Sequence, residues 1–193
     1  MNTTPLRLIV MGVSGSGKSS MAKALSERLG LDMVDGDDLH LPASVAKMRA
    51  GIALQDADRW PWLDRIGNYL SGSTDSKSGR VVACSALRRA YRDRIRTHAG
   101  EVCFLFLQGD HALISQRISQ RVGHFMQSGL LDSQFSTLET PGPEETDVIT
   151  LDINVPMALL ITQALAALHS HNQRISEPKP KRLDHPDPAG SLL

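Results

Sequence analysis

The sequence predicts an α/β fold in which a parallel five-stranded sheet is covered by helices on both faces. Short apolar runs rich in β-branched residues alternate along the chain with stretches in which apolar residues recur at helical spacing. The first run ends at a glycine-rich turn that leads directly into a helix. The chain has 193 residues, of which 41% are apolar and 22% charged, as in ordinary globular domains. Strands that alternate with helices are joined by right-handed crossovers, which place helices on both faces of one sheet.

The first two strands lie within the first 40 residues. Leu6–Met11 is short, apolar and branched, which is typical of a strand buried on both faces. A helix is predicted over 19–29, where the apolar residues share one helical face and Gly30 ends the helix. The second strand, Met33–Val34, runs into the acidic turn Asp35–Asp38.

The middle of the chain contains two further helices and a loop. Helical patterning covers 42–51 and 60–70. Pro61 suits the first turn of the second of these helices, because the N–H groups of that turn have no partner within the helix. Residues 71–79 are rich in Ser and Gly and are predicted to form a loop.

The second half of the chain repeats the alternation of strand and helix. The predicted strands cover 81–84, 102–107 and 148–153, and the predicted helices cover 90–98, 111–121 and 156–169. Residues 176–193 hold four of the ten prolines and little apolar periodicity, so we expect a flexible tail outside the core. The sequence thus predicts one domain over 1–175 and a tail over 176–193.

The composition excludes several functions. The 21 Lys and Arg residues balance the 21 Asp and Glu residues, which argues against nucleic-acid binding. No apolar run approaches the roughly 18 to 20 residues of a membrane span, and the N-terminus lacks the pattern of a secretory signal. Cys84 and Cys103 have no metal-ligand spacing and suit buried thiols in a reducing compartment. We therefore expect a cytoplasmic protein without a nucleic-acid or membrane partner, and the oligomeric state stays open, a homodimer included.

A phosphate-binding loop follows the first strand. Residues 12–19, G-V-S-G-S-G-K-S, match the pattern G-x-x-x-x-G-K-[ST] between a strand and a helix. The glycines let successive N–H groups turn inward around an anion, and the helix N-terminus adds the positive end of its dipole. Lys18 can reach the β- and γ-phosphates of ATP, and the Ser19 hydroxyl can bind Mg²⁺. The residues expected to bind the nucleotide here are Gly12, Val13, Ser14, Gly15, Ser16, Gly17, Lys18, Ser19 and Ser20.

Two other classes of P-loop protein fit the sequence poorly. Residues 64–67 match the D-x-x-G motif of GTPases, but they lie inside a helical pattern, and the chain has no N-K-x-D segment to read guanine. A mechanical ATPase needs a metal-binding Asp at the end of an apolar strand. The third predicted strand instead ends in Cys84-Ser85-Ala86.

The acidic turn after the second strand is the candidate catalytic segment. Asp35, Asp37 and Asp38 lie within four residues of one another, and clustered carboxylates need a metal, a cation or a hydroxyl nearby. In a kinase for a small alcohol, one carboxylate accepts the hydroxyl proton and another holds Mg²⁺ through water. The alternative is a structural turn in which these residues cap the next helix.

These motifs occur together in the gluconokinase family, which the chain resembles over roughly 6–168. The matching stretches are G-V-S-G-S-G-K-S at 12–19, D-G-D-D-L-H at 35–40, A-K-M-R-A-G at 46–51, D-A-D-R-W-P-W-L at 56–63, V-V-A-C-S-A-L-R-R-A-Y-R-D at 81–93, and G-H-F-M with L-L-D-S-Q-F-S-T-L-E within 123–139. The resemblance implies a three-layer α/β/α sandwich of the P-loop kinase type with a mobile lid. It also implies transfer of the γ-phosphoryl group of ATP, with Mg²⁺, to the 6-hydroxyl of D-gluconate, giving 6-phospho-D-gluconate. The sequence departs from the family's common pattern at Leu41, Ala53 and Gln127, which affect loop shape.

The D-G-D segment at 35–37 is also similar to that of adenylylsulfate kinase and, more loosely, of shikimate kinase. Both relatives imply Asp35 near Mg²⁺ and Asp37 near the acceptor hydroxyl. The expected catalytic residues are therefore Lys18, Asp35 and Asp37, and the expected metal ligands are Ser19 and Asp35. Neither relative has the Trp60-Pro61-Trp62 segment, so these two kinase types rank below gluconate phosphorylation and are kept only as alternatives.

Several arginines are candidates for binding the carboxylate of a sugar acid, because a guanidinium is a planar two-pronged donor. Arg88 and Arg92 follow the third strand, and Arg59 lies beside the tryptophans, where pairing with Asp56 or Asp58 is the alternative. For Arg94 and Arg96 we expect solvated charges on a helix. His40 is either a substrate ligand or a turn residue. The expected substrate-binding residues are Asp37, His40, Arg59, Ser85, Arg88, Arg92, His124 and Gln134.

A lid is expected over about 122–139, in the position where small-molecule kinases carry one. Two glycines in this segment permit hinge motion, and His124 and Gln134 offer contacts on closing. Arg117 and Arg121 lie one helical turn apart at its base. The resemblance to related kinases implies that one of them stacks on adenine or reaches the phosphates.

Overall fold

The computed structural model describes residues 5–72, 78–120 and 129–176. Its strands are β1 (Leu6–Met11), β2 (Asp32–Asp35), β3 (Gly79–Ala83), β4 (Cys103–Gln108) and β5 (Val148–Asp152). They form one parallel sheet in the order β2-β3-β1-β4-β5. The predicted five-stranded parallel sheet is confirmed.

The sheet register brings three loops together at one edge. In the centre of the sheet, Val10 of β1 pairs with Ala83 of β3 and with Leu105 of β4. Ala83 also pairs with Asp35, the last residue of β2. The carboxyl ends of β1, β2 and β3 are therefore level, and the segments that follow them are neighbours where ligands of such sheets bind.

Helices cover both faces of the sheet. They are α1 (Lys18–Leu29), α2 (Pro42–Arg49), α3 (Asp56–Ser71), α4 (Arg89–Ala99), α5 (His111–Ser119), α6 (Leu130–Thr137) and α7 (Met157–Ser176). Successive side chains of a strand point to opposite faces. Leu8 accordingly packs in a buried cluster with residues of α1, α5 and α7, whereas Ile9 packs in a second cluster with residues of α3 and α4. The predicted three-layer sandwich is thus confirmed.

Helix α3 begins one turn earlier than predicted. The side chain of Asp58 accepts a hydrogen bond from the backbone N–H of Gln55 at 3.0 Å, and the Gln55 side chain caps the helix in return. This reciprocal cap starts the helix at Asp56, so Pro61 lies inside the helix and not in its first turn, which corrects the prediction. Because proline has no N–H, it cannot donate to the carbonyl of Ala57 one turn earlier.

Two segments near the C-terminus also differ from the prediction. Helix α7 continues to Ser176, so this residue ends a helix and does not begin the predicted tail. Helix α6 lies inside the expected lid, where the sequence showed no separate helix. Residues 73–77, 121–128 and 177–193 lie outside the described part of the chain, and Arg121 and His124 with them. Among the described helices, none is long and apolar enough to cross a membrane.

Candidate active site

The phosphate loop has the backbone geometry that its glycines predict. Gly12, Gly15 and Gly17 have φ angles of 141°, 83° and 100°, which other residues rarely adopt. A Cβ atom on Gly12 would also lie 2.8 Å from the carbonyl oxygen of Leu107. The loop leads into the N-terminus of α1, and Lys18 Nζ donates to the carbonyl of Val13 at 3.1 Å. The result is a cradle of backbone N–H groups with a lysine beside it, which suits a polyphosphate.

Gln134 of α6 lies against this loop. Its Oε1 accepts a hydrogen bond from the backbone N–H of Ser14 at 2.6 Å, and its Nε2 donates to Ser14 Oγ at 3.1 Å. The structure therefore places Gln134 on the phosphate side of the site, whereas the sequence analysis placed it on the substrate side. The two residues are 120 positions apart, so no local pattern predicts this contact.

Ser19 and Asp35 bring a hydroxyl and a carboxylate together at the start of α1. Ser19 Oγ donates to Asp35 Oδ2 at 2.8 Å, and Asp35 Oδ1 accepts from the backbone N–H of Asp37 at 3.1 Å. Gly36 is needed between them, because a Cβ atom there would lie 2.7 Å from the carbonyl oxygen of Ala83. Hard oxygen ligands of this kind suit Mg²⁺, which usually completes its shell with phosphate and water. The described residues contain no group of three or more His, Cys, Asp or Glu that could hold a metal ion.

Asp37 follows on the exposed side of the same turn. The surrounding protein removes water from its carboxyl group, and the Asp35 carboxylate repels its charge, so both raise the pKa of Asp37. A protonated His40 ring and the Lys18 ammonium group would each lower the pKa of Asp37 and so oppose this rise. A carboxylate with a raised pKa is a better proton acceptor than an ordinary one.

His40 and Trp62 form the wall behind the acidic turn. Their rings stack with centroids 4.3 Å apart, and Trp62 Nε1 donates to the carbonyl of Gly36 at 2.6 Å. Burial lowers the pKa of His40 below its ordinary value, which favours the neutral ring. Its Nδ1 is buried and has no hydrogen-bond partner among the described residues. Trp62 thus anchors the turn, and His40 keeps one buried ring nitrogen without a partner in the described part of the chain.

Two arginines lie near the N-termini of α3 and α4. Arg59 of α3 and Arg88, the residue before α4, are each about one-third exposed and both contact Asp56, at 3.4 Å and 2.8 Å. The alternative that Arg59 pairs with a nearby acid is therefore correct for Asp56, whereas Asp58 pairs with Lys47 at 2.6 Å. Asp56 contacts only Nη1 of each guanidinium. Arg59 and Arg88 therefore remain candidates for binding the carboxylate of a substrate through their other N–H groups.

Arg92 is not available to a substrate, which corrects the prediction. Its side chain is only 1% exposed. Nε and Nη2 donate to the two carboxylate oxygens of Glu145 at 2.8 and 2.6 Å, and Nη1 donates to the carbonyls of Ala86 and Leu87. The ion pair to Glu145, 53 residues away, joins α4 to the segment before β5 and has a structural role.

Arg96 also departs from the expected solvated helix. Its guanidinium donates to Glu145 at 2.8 Å and to Asp147 at 2.7 Å, and only 21% of its side chain is exposed. Arg94, in contrast, pairs with Asp64 and is 42% exposed, as expected for a solvated charge. Two acidic partners of Arg92 and Arg96, Glu145 and Asp147, lie in a segment to which the sequence analysis gave no role, and Arg96 also pairs with Asp93 on its own helix.

The segment after β3 closes the site on the side of the phosphate loop. The carbonyl of Ser85 accepts a hydrogen bond from the N–H of Gly12 at 3.3 Å, which joins the two loops. Ala86 has a φ of 43°, a backbone conformation uncommon for alanine. Burial raises the pKa of the neighbouring Cys84 thiol to about 12, so this cysteine is not a nucleophile.

Arg117 lines a cavity of about 260 Å³ beside the phosphate loop. Its Nη2 donates to the carbonyl of Ile153 at 2.6 Å. The cavity is also lined by Gly15, Gly17, Ser20, Gln120, Val155, Met157 and Leu160. This mixture of a guanidinium and apolar side chains next to phosphate-binding N–H groups suits the base of a nucleotide.

Comparison with known proteins gives a consistent result. The family model described as an AAA domain matches residues 8–141. The thermosensitive gluconokinase of Escherichia coli (strain K12) is 40% identical over 160 residues, covering 83% of this chain and 86% of that protein. The gluconokinase of Gluconobacter oxydans (strain 621H) is 43% identical over 145 residues, covering 75% of this chain and 82% of that protein. The crystal structure of a gluconokinase from Sinorhizobium meliloti 1021 superposes with a TM-score of 0.80 at 43% identity, covering 89% of this chain and 95% of that chain.

More distant structures share the fold. An APS (adenylylsulfate) kinase of Mycobacterium tuberculosis, in complex with AMPPNP and APS, has a TM-score of 0.58 at 19% identity, with 86% of this chain and 99% of that chain covered. A shikimate kinase of Aquifex aeolicus has a TM-score of 0.55 at 13% identity, with 89% of this chain and 100% of that chain covered. At these identities the likeness concerns the fold alone.

Proposed function

The chain belongs to the gluconokinase family, and we propose that it transfers the γ-phosphoryl group of ATP to the 6-hydroxyl of D-gluconate. The product is 6-phospho-D-gluconate. The observation that carries the proposal is the set of groups at one edge of the sheet. The phosphate loop contacts the acidic turn through Ser19 and Asp35, and a pair of arginines meets at Asp56, near the segment that follows β3. This arrangement suits a donor phosphate in the loop and an acidic acceptor held between the acidic turn and the arginines.

The phosphate loop holds ATP. The N–H groups of the loop and of the first turn of α1 bind the phosphates, and the cavity beside Arg117 takes the adenine. Lys18 places a positive charge where negative charge accumulates during transfer, and this stabilises the transition state. Ser14, which now donates to Gln134, exchanges that partner for a phosphate oxygen.

Ser19 and Asp35 are the residues that hold Mg²⁺ with the phosphates. The fit rests on their 2.8 Å contact, which puts a hydroxyl and a carboxylate oxygen side by side next to the loop. When bound, Mg²⁺ neutralises charge on the β- and γ-phosphates. Asp35 acts directly or through water, and its second oxygen orients the turn through the N–H of Asp37.

Asp37 faces the acceptor hydroxyl and accepts its proton as the bond to phosphorus forms. A sugar hydroxyl is a poor nucleophile at neutral pH, so the site contributes orientation and a proton acceptor. The raised pKa of Asp37 suits that role. His40 lies beside Asp37 and is placed next to the acceptor, since each of the two groups affects the pKa of the other.

Arg59 and Arg88 bind the carboxylate of the acceptor. Gluconate carries its carboxylate and its 6-hydroxyl at opposite ends, so one end binds the guanidiniums while the other reaches Asp37. The carbonyl of Ser85 accepts a hydrogen bond from the N–H of Gly12, so Ser85 joins the phosphate loop to the segment that carries Arg88. We place Ser85 beside the acceptor for this reason. Both cysteines of the chain are free and buried, and we place the reaction in the cytoplasm, where such thiols stay reduced.

The proposal is tested by measuring acceptor-dependent ADP formation with Mg²⁺-ATP and, in turn, D-gluconate, shikimate and adenylylsulfate. We expect turnover with gluconate and at most background with the other two acceptors. Faster turnover with shikimate or adenylylsulfate would assign the chain to another specificity. ADP formation that does not depend on any acceptor would contradict a kinase function.

A further inference from the structure

Asp56 and Tyr91 lie between the two arginines of the acceptor side. Asp56 is the first residue of α3, and Tyr91 lies in the first turn of α4. Asp56 Oδ1 accepts from the Tyr91 hydroxyl at 2.6 Å and from Arg59 Nη1 at 3.4 Å, and Oδ2 accepts from Arg88 Nη1 at 2.8 Å. Three donors, from α3, from α4 and from the residue before α4, therefore converge on one carboxylate.

Tyr91 acts as a fixed support for both arginines. Its side chain is 4% exposed and packs edge-on against Trp60 with centroids 5.6 Å apart. The guanidinium carbons of Arg59 and Arg88 lie 5.8 and 5.7 Å from the centre of its ring. Arg59 Nη1 also donates to the Tyr91 hydroxyl oxygen at 3.2 Å. Two like charges are thus held at similar distances from one aromatic ring, which attracts both.

The cluster of Asp56, Arg59, Arg88 and Tyr91 has one positive charge in excess. The Tyr91 hydrogen bond first, and then the two arginines, lower the pKa of Asp56, so two guanidiniums face a single ionised carboxylate. Among the hydrogen bonds within the described residues, each guanidinium uses only its Nη1. Their other N–H groups lie on side chains that are 31% and 39% exposed. One further carboxylate would both neutralise the cluster and find donors.

We propose that Asp56 and Tyr91 are positioning residues that hold Arg59 and Arg88 ready for the acceptor carboxylate, and thereby determine the preference for a sugar acid over its alditol. This inference rests on the proposed function. Asp56 keeps the guanidiniums from repelling each other and fixes one nitrogen of each, which leaves the remaining donors oriented before substrate binds. Such preorganisation improves substrate affinity, because the cost of ordering the side chains is met during folding.

The test compares Asp56→Asn and Tyr91→Phe with the wild type, using D-gluconate and D-glucitol as acceptors. D-glucitol keeps the 6-hydroxyl but has an alcohol in place of the carboxylate. We expect KM for gluconate to rise about tenfold in both variants, as is typical for a lost hydrogen bond to a charged group. We expect kcat and KM for ATP to stay within about twofold, and kcat/KM for glucitol to stay unchanged.

Asp64→Asn is the matched control. Asp64 also lies on α3 and pairs with an arginine of α4, Arg94, but away from the acceptor side. This variant should keep the wild-type preference for gluconate over glucitol. If it loses the preference as Asp56→Asn does, the effect comes from loosened helices and the inference is wrong.

Two other results separate the inference from the proposed function. If the wild type phosphorylates gluconate but Asp56→Asn and Tyr91→Phe keep its KM and its acceptor preference, only the inference fails. If the wild type does not phosphorylate gluconate, the proposed function fails and the inference fails with it. Should Asp56→Asn be unfolded, Tyr91→Phe decides alone, because it removes one hydroxyl and keeps the buried ring.

Discussion

The two ends of the site are built in different ways. The end that binds ATP consists of one contiguous loop at 12–19, and its geometry depends on glycines with positive φ. The acceptor end is assembled from α3 and α4, and its central contacts join residues 32 and 35 positions apart. The first end is therefore a property of local sequence, whereas the second depends on how two helices pack.

This difference predicts how substitutions at each end affect activity and stability. Substitution of Lys18 in the phosphate loop removes a chemical group and should leave the fold intact, because this side chain is only partly buried. Substitution of the buried Arg92 should act through packing, whereas substitution of the partly exposed Arg88 should act through substrate affinity. The predictions below, from the largest expected effect to the smallest, test this contrast.

Lys18→Ala should lower kcat about 10³- to 10⁵-fold, because the charge that stabilises the transferring phosphoryl group is lost. The melting temperature should change little, since the Lys18 side chain is only partly buried. Steady-state kinetics and thermal unfolding measure the two quantities. Lys23→Ala, an exposed position on the same helix, is the control and should behave as the wild type. A folded Lys18→Ala enzyme with most of its activity would contradict the assignment of the loop.

Asp37→Asn should lower kcat about 10²- to 10⁴-fold with ATP affinity nearly unchanged, because it keeps the size of the side chain but removes the proton acceptor. Asp37 stands where the two ends of the site meet, so this variant separates ATP binding from transfer. Asp38→Asn is the matched control and should act mainly through stability. If Asp38→Asn abolishes activity in a folded protein while Asp37→Asn does not, the two roles are exchanged.

Arg92→Leu should destabilise the fold by about 3 kcal/mol, because it leaves the carboxylate of Glu145 buried with one partner fewer. For a chain of this size that corresponds to a fall in melting temperature of roughly 6 to 12 °C. Arg94→Leu removes an exposed arginine of the same helix and should have a much smaller effect. Equal losses in the two variants would show that the buried pair has no special role.

The same ion pair predicts how stability depends on pH. Arg92 first, and then Arg96, hold the pKa of Glu145 at about 2, below its ordinary value of 4.5. The contribution of Glu145 to stability is therefore complete above about pH 4.5 and is lost as the pH falls towards about 2. Glu145→Gln cannot titrate, so its stability should fall less steeply over this range. Parallel curves for the two proteins would contradict the role of Glu145.

Much of the fold could be predicted because the signals are local. The bounds of β1 are those predicted, and Gly30 ends α1 in the left-handed conformation, as its position suggested. Helix α3 was placed one turn too late because Pro61 is a more visible signal than the Gln55 and Asp58 cap. Helix α6 was missed although Leu131 and Phe135 lie one turn apart and pack on the core, because the whole segment was interpreted as a lid.

The site residues show more clearly that local sequence cannot predict contacts between distant segments. Arg88 and Arg92 have the same charge and lie one helical turn apart, and sequence alone gave them the same role. The structure separates them, because Glu145 arrives from a distant segment and buries Arg92, whereas Arg88 stays partly exposed. Gln134 could not be placed for the same reason, since its partner Ser14 is 120 residues away.

The most direct test of the account is to identify which oxygen of gluconate receives the phosphoryl group. The wild type is incubated with Mg²⁺-ATP and D-gluconate, and the product is analysed by ³¹P–¹H correlation NMR. If the carboxylate is held at Arg59 and Arg88 and the far end reaches Asp37, the new phosphorus resonance must couple to the two protons of C6, with one ADP formed per phosphoester. Coupling to a single proton of a secondary alcohol, or inorganic phosphate with unmodified gluconate, would contradict the account.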